Sequence, residues 1–147
     1  MRQRILFVGV HNDARSQMAE AFVNAAFPTR FAAQSSGLAP ACLNPLMVEV
    51  MCEIGCDISQ KKPESIFDFM KRGERFDYVI TLFDETTIDQ CPVFAGAHTR
   101  LHWGFADPLA YQGSHEEQLA FMRHVRDEIH GQITHWCEEQ CGCLTVA

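Results

Sequence analysis

Two rhythms of apolar residues alternate along this chain. Arg4 to Gly9 holds Ile5, Leu6, Phe7 and Val8 without a polar break, the pattern of a strand buried on both faces of a sheet. Ser16 to Phe27 instead carries Met18, Phe22, Ala25 and Ala26 at helical spacing, and Pro28 closes that helix. Phe31 to Ser36 predicts a second strand, ended by Gly37 and Pro40. Asn44-Pro45 opens a second helix, with Leu46, Val50, Met51 and Ile54 on one stripe and Gly55 beyond its end. Phe76 to Phe83 (F-D-Y-V-I-T-L-F) is the strongest strand pattern in the chain. Cys91-Pro92 to Gly96 reads as a loop and His98 to Trp103 as a last short strand. Ser114 to Cys137 predicts a long final helix, with Ser114 as N-cap and Glu116 and Glu117 in its first turn. Its apolar content is Leu119, Phe121, Met122, Val125, Ile129 and Ile133.

Strands alternating with helices predict an α/β fold built on an open parallel sheet. The ligand site of such a sheet lies at the carboxyl ends of its strands, at a topological switch point. The length of 147 residues, with no linker, repeat or low-complexity tract, predicts one domain over residues 1–147.

Composition narrows the function classes. A net charge of −7 without a basic stretch argues against nucleic acid as a partner, so any anion site is local. No apolar run approaches the roughly 18 residues that span a bilayer, and Met1 to Arg4 introduces no signal-peptide pattern. The expectation is a cytoplasmic protein with no membrane partner. Its seven cysteines, at 42, 52, 56, 91, 137, 141 and 143, then read as thiols and not as a disulfide framework.

The candidate chemistry sits directly after the first strand, in V-G-V-H-N-D-A-R-S from Val8 to Ser16. A loop running into a helix aims backbone N–H groups inward, and the helix dipole adds partial positive charge. Arg15 supplies a forked guanidinium suited to two oxygens of a tetrahedral anion. Asn12 suits the left-handed backbone conformation of tight loops, and Ser16 is placed to cap the helix. The residues of this anion cradle are Val10, His11, Asn12, Asp13, Ala14, Arg15 and Ser16. Asp13 brings a carboxylate into the loop, where it is expected to face away from the anion.

The chain resembles the low-molecular-weight protein tyrosine phosphatase superfamily, and within it the thioredoxin-coupled arsenate reductases. The resemblance runs through I-L-F-V-x-V-H-N-x-A-R-S-Q-M-A-E-A-F from Ile5, S-S-G-L-A-P from Ser35, F-D-Y-V-I-T-L from Phe76, C-P-V-F from Cys91, H-W-G-F-A-D-P from His102 and F-M-R-H-V-R-D-E-I from Phe121. It implies a four-stranded parallel sheet flanked by helices on both faces, in flavodoxin-like layers. It also implies that Arg15 clamps the anion and that Asp107, before Pro108, is the general acid. The family's loop begins with a nucleophilic cysteine, and its reductases add two relay cysteines. Position 9 is Gly9, the first relay position is Phe83, and Cys91 matches the second.

Glycine offers no sulfur for a covalent adduct, and Phe83 forms no disulfide with Cys91. The leading expectation is a protein that keeps the oxyanion cradle for phosphate, sulfate or arsenate, or for a phosphoprotein, without the thiol step. Thioredoxin is a partner only if a redox relay exists. One alternative is a working arsenate reductase or phosphatase with a cysteine at position 9 of its parent sequence. Another is an interaction module without catalysis. No cofactor is required; the resemblance suggests a potassium site at Asn12, Glu20, Ser35 and Glu64. His11 is expected to make a structural loop contact, and Trp103 to pack. Cys42, Cys52 and Cys56 read as small packing residues, and Cys137, Cys141 and Cys143 as part of a loose tail, not a metal site.

Overall fold

The computed structural model describes residues 2–83 and 92–145, with side chains through residue 141. Its framework is a four-stranded sheet of β1 (Gln3–Gly9), β2 (Phe31–Gly37), β3 (Phe76–Thr81) and β4 (Ala97–His102). All neighbours are parallel, in the order β2-β1-β3-β4. The chain leaves β1 for β2 on one side and later returns to place β3 on the other. The C-terminal end of β1 is therefore the switch point of the sheet. The register brings Gly9 opposite Gly37, Val8 opposite Thr81, and Thr81 opposite His102, so the strand ends form one common rim.

The unbroken apolar run in β1 is explained by burial on both faces. Ile5 and Phe7 join a core with α1 (Arg15–Ala26), α2 (Pro45–Cys52) and α4 (His115–Thr145). Leu6 and Val8 point the other way, into a smaller core with Ile66 and Phe69 of α3 (Ile66–Lys71). All four side chains are fully buried, each contributing roughly 1.5–3 kcal/mol relative to exposure. Helices thus cover both faces, as expected of this fold class.

Several local expectations need correction. In α2 the buried stripe is Met47, Val50 and Met51, while Ile54 lies past the helix and is 49% exposed. The β3 ladder stops at Thr81, yet Leu82 and Phe83 remain fully buried beyond it. Helix α3 was not legible as an apolar repeat because it spans only six residues. Its signals are local: Ser65 Oγ accepts from Phe67 N, Asp68 lies in the first turn, Lys71 in the last, and Gly73 follows with φ 66°.

The C-terminal segment is not a loose tail. Helix α4 continues through Thr145, with Trp136 and Cys137 buried in the main core. Ser114 Oγ accepts from Glu117 N at 3.2 Å, and the Glu117 carboxylate accepts from Ser114 N at 3.3 Å, a reciprocal cap at its start. Arg126 locks α4 onto α2: its Nη1 donates to the Val50 carbonyl at 2.8 Å and meets Glu53 at 3.1 Å. Burial pushes the Cys137 thiol up to about 12, so it behaves as an apolar core group. Cys42 and Cys52 are exposed and Cys56 is half-buried, so the first two do not pack as expected; all five cysteines with described side chains are thiols.

Candidate functional site

The segment between β1 and α1 is held from outside by its own carbonyls. Gly9 O accepts from Leu38 N at 3.1 Å, Val10 O from Ala39 N at 2.7 Å, His11 O from Ala41 N at 3.0 Å and Asp13 O from Asn44 N at 3.1 Å. The residues after β2 thus wrap the loop and take up its acceptors. None of these bonds uses the amide N–H groups of His11, Asn12 or Ala14. His11 adds a side-chain tie, with Nδ1 at 2.8 Å from the Ala39 carbonyl.

Asn12 is the buried keystone of the loop. Its φ of 53° is the left-handed conformation that asparagine tolerates. Its Oδ1 accepts from Gln17 Nε2 at 3.0 Å and from Glu64 N at 2.9 Å, and its Nδ2 donates to Ser16 Oγ at 2.8 Å. Ser16 does not cap α1: the N-cap position is Ala14, with no side-chain bond. The Ser16 hydroxyl instead accepts from Asn12, leaving its proton for another acceptor. A β-carbon at Gly9 would stand 3.1 Å from Ser16 Oγ, so a side chain at position 9 would point toward that hydroxyl.

Arg15 opens α1 and is buried to 9% exposure. Its Nη1 donates to the Phe105 carbonyl at 2.9 Å and lies 3.5 Å from the Leu82 carbonyl. The guanidinium is thereby fixed between the end of β3 and the segment leading to Asp107. The Asp107 carboxylate accepts from Leu109 N at 2.9 Å, capping the 3-10 turn Pro108–Ala110. Asp13, expected to face clear of the site, is half-buried within electrostatic reach of Asp107 and Arg15. Burial foremost raises its pKa; His11, Arg15 and a backbone hydrogen bond oppose the rise, and Asp107 adds to it.

The four residues suggested for potassium adjoin one another, but Glu20 and Asn12 already face other partners. Glu20 Oε1 accepts from Ser35 Oγ at 3.0 Å, and Glu20 Oε2 lies 2.9 Å from Lys61 Nζ. Asn12 Oδ1 receives the two N–H groups already named. The Glu64 carboxyl is raised foremost by burial, with Glu20 adding to the rise and Arg72 and Lys61 opposing it. This set does not fit an open cage for a monovalent ion, because Lys61 brings its own charge to the carboxylate that would anchor one. Sequence reasoning missed Lys61, which lies far from the loop in the chain and carries no motif.

Phe83 and Cys91 fare differently. Phe83 is fully buried among Leu6, Val8, Ile66, Phe69, Phe76, Val79 and Phe94, on the α3 side of the sheet. Cys91 lies outside the described residues. Trp103 packs as expected, at 6.4 Å from Phe7 and 5.6 Å from Trp136 between ring centroids. No group of three or more His, Cys, Asp or Glu side chains among the described residues forms a metal site. Nor is any described helix long and apolar enough to cross a membrane.

A loop of this kind, at the switch point of a four-stranded parallel sheet, places the chain in a defined family. The family model for low molecular weight phosphotyrosine protein phosphatase matches residues 4–141, and the chain belongs to that family. Its relatives include the arsenate reductase of Bacillus subtilis (strain 168), 36% identical over 135 residues that cover 91% of this chain and 94% of the relative. A solved arsenate reductase in the phosphate binding state superposes with a TM-score of 0.75 at 25% identity, covering 95% of this chain and 98% of that one. The thioredoxin-dependent arsenate reductase of Corynebacterium glutamicum gives 0.70 at 30% identity, covering 96% of this chain and 63% of that one.

Proposed function

We propose that this protein binds a tetrahedral oxyanion, phosphate or arsenate, in the loop from Gly9 to Ser16, and does not carry out the thiol chemistry of its relatives. The observation that carries the reading is the division of labour in the loop. Its carbonyls are tied to residues 38–44 by bonds that leave the amides of His11, Asn12 and Ala14 unused, and the guanidinium of Arg15, at the end of the same loop, is anchored on the Phe105 carbonyl. Backbone N–H groups at a helix N-terminus together with a guanidinium form an anion site without further help. That one relative is described in a phosphate binding state supports the same ligand here.

Gly9 takes the position of the family's nucleophile, and glycine has no atom with which to attack phosphorus or arsenic. Arg15 is then the clamp on the anion, and Asp107 a carboxyl at its mouth with no leaving group to protonate. Thioredoxin, named for the Corynebacterium relative, has no relay to act on, because Phe83 is a core side chain. Calorimetric titration with phosphate and arsenate, alongside an aryl phosphate assay of the protein and its Gly9→Cys variant, tests the reading. Saturable heat with turnover only in the cysteine variant is expected. Absence of heat, or equal turnover in both proteins, overturns it.

A further inference from the structure

A buried carboxylate beneath the loop has been given a tethered cation. Glu20, in the second turn of α1, is 6% exposed and receives Ser35 Oγ on one oxygen. Its other oxygen lies 2.9 Å from Lys61 Nζ, in an ion pair that does not meet hydrogen-bond geometry. A carboxylate at that depth needs a counter-charge, since an unpaired buried charge costs several kcal/mol. Glu64 is acidic and cannot supply one. Lys61, with its stem half-exposed, reaches in from the surface to do so.

Lys61 sits at the head of a segment that reaches back to the loop. The turn at Lys61 is closed by its N–H on the Ile58 carbonyl at 3.1 Å. Three residues later Glu64 N donates to Asn12 Oδ1 at 2.9 Å, and Glu64 O accepts from Gly37 N at 2.8 Å. Ser65 then forms a parallel bridge with Gly37. The ion pair therefore pins the strap from Ile58 to Ser65 against α1 and β2, and the strap in turn holds the side chain that fixes the left-handed Asn12. We propose that the Lys61 ammonium is the loop's resident cation, a positioning residue that takes the place a monovalent metal ion would otherwise fill, so that the anion cradle is formed without potassium.

The strap and its ion pair are independent of whether phosphate binds, so stability and affinity are read separately. Thermal unfolding and phosphate titration are measured for the protein, Lys61→Met and Lys61→Arg, in potassium chloride and in tetramethylammonium chloride of equal ionic strength. The unsubstituted protein is expected to unfold at the same temperature in both salts. Lys61→Met should unfold roughly 5 °C lower in tetramethylammonium chloride and recover in potassium chloride, with Lys61→Arg close to the original. Where phosphate binds at all, its affinity should follow the same order. A potassium-specific stabilisation of the unsubstituted protein overturns the proposal. So does a Lys61→Met protein that matches it in both salts, or one that neither potassium nor arginine rescues. A titration without heat in any protein, with the unfolding pattern intact, counts against phosphate binding and leaves the tethered cation standing.

Discussion

Gly37 and Asn12 are in backbone contact: a β-carbon added to Gly37 would stand 2.8 Å from the Asn12 amide nitrogen. The same atom would also come within 2.8 Å of the His11 carbonyl carbon and 2.9 Å of the Val10 oxygen. All three neighbours are main chain, in a loop already tied by four carbonyl bonds, so none can rotate aside. Only glycine lets β2 serve as the floor of the loop.

Gly37→Ala therefore has to lift the loop off the strand end. Overpacking of this kind costs about 1–3 kcal/mol, and here the displaced atoms are the proposed anion cradle itself. The expected result is a modest loss in urea midpoint together with a loss of phosphate binding out of proportion to it. A Gly37→Ala protein that binds phosphate normally would show that the loop's fixed geometry is not what creates the site.

Rebuilding the relay at Phe83 is expected to fail for a reason the sequence does not display. The resemblance sets this residue at a redox-cysteine position, but its ring is fully buried with the α3 core and lies 6.0 Å from the His102 ring between centroids. Phe83→Cys removes most of that ring from a close-packed environment, at a cost of about 2–4 kcal/mol. The resulting thiol lies in apolar surroundings that hold it protonated and unreactive. Adding Phe83→Cys to Gly9→Cys should lower the chemical unfolding midpoint sharply without yielding thioredoxin-coupled arsenate reduction. Recovery of that reduction would mean that the segment at Phe83 can turn toward the loop.

Legibility in the sequence depends on the reach of each signal. The β1 run, the Asn44-Pro45 helix start and the Ser114 cap are encoded within a few residues, and the corresponding elements form where expected. The loop from Gly9 to Ser16 stands out as a candidate because its residues are contiguous. Helix α3 was too short to show a period, and the length of α4 beyond Cys137 depends on Trp136 meeting Phe31, Tyr78 and Trp103 across the sheet. Lys61 on Glu20 is likewise a purely tertiary pairing. So is the environment of Asp13, which lies within electrostatic reach of Asp107.

Asp13 yields a pH-dependent prediction. Its folded pKa is raised, foremost by burial and further by Asp107, so the folded state holds this proton more tightly than the unfolded chain does. The carboxyl's favourable contribution is then fully present below the unfolded value, about 3.9, and is lost as pH rises through the folded pKa. An ionised Asp13 disfavours the fold and would also set a negative charge beside the proposed anion site. Asp13→Asn keeps the shape and removes the charge. The variant should be more stable than the original at pH 7, and the difference should shrink as pH falls toward 4. Its phosphate affinity should rise by roughly threefold to tenfold at pH 7, as expected when one nearby like charge is removed across partly exposed ground. Thermal unfolding from pH 4 to 8, paired with phosphate titration at pH 7, measures both effects. An Asp13→Asn protein less stable than the original at pH 7, or one with unchanged phosphate affinity, would show that the carboxylate is solvated clear of the loop.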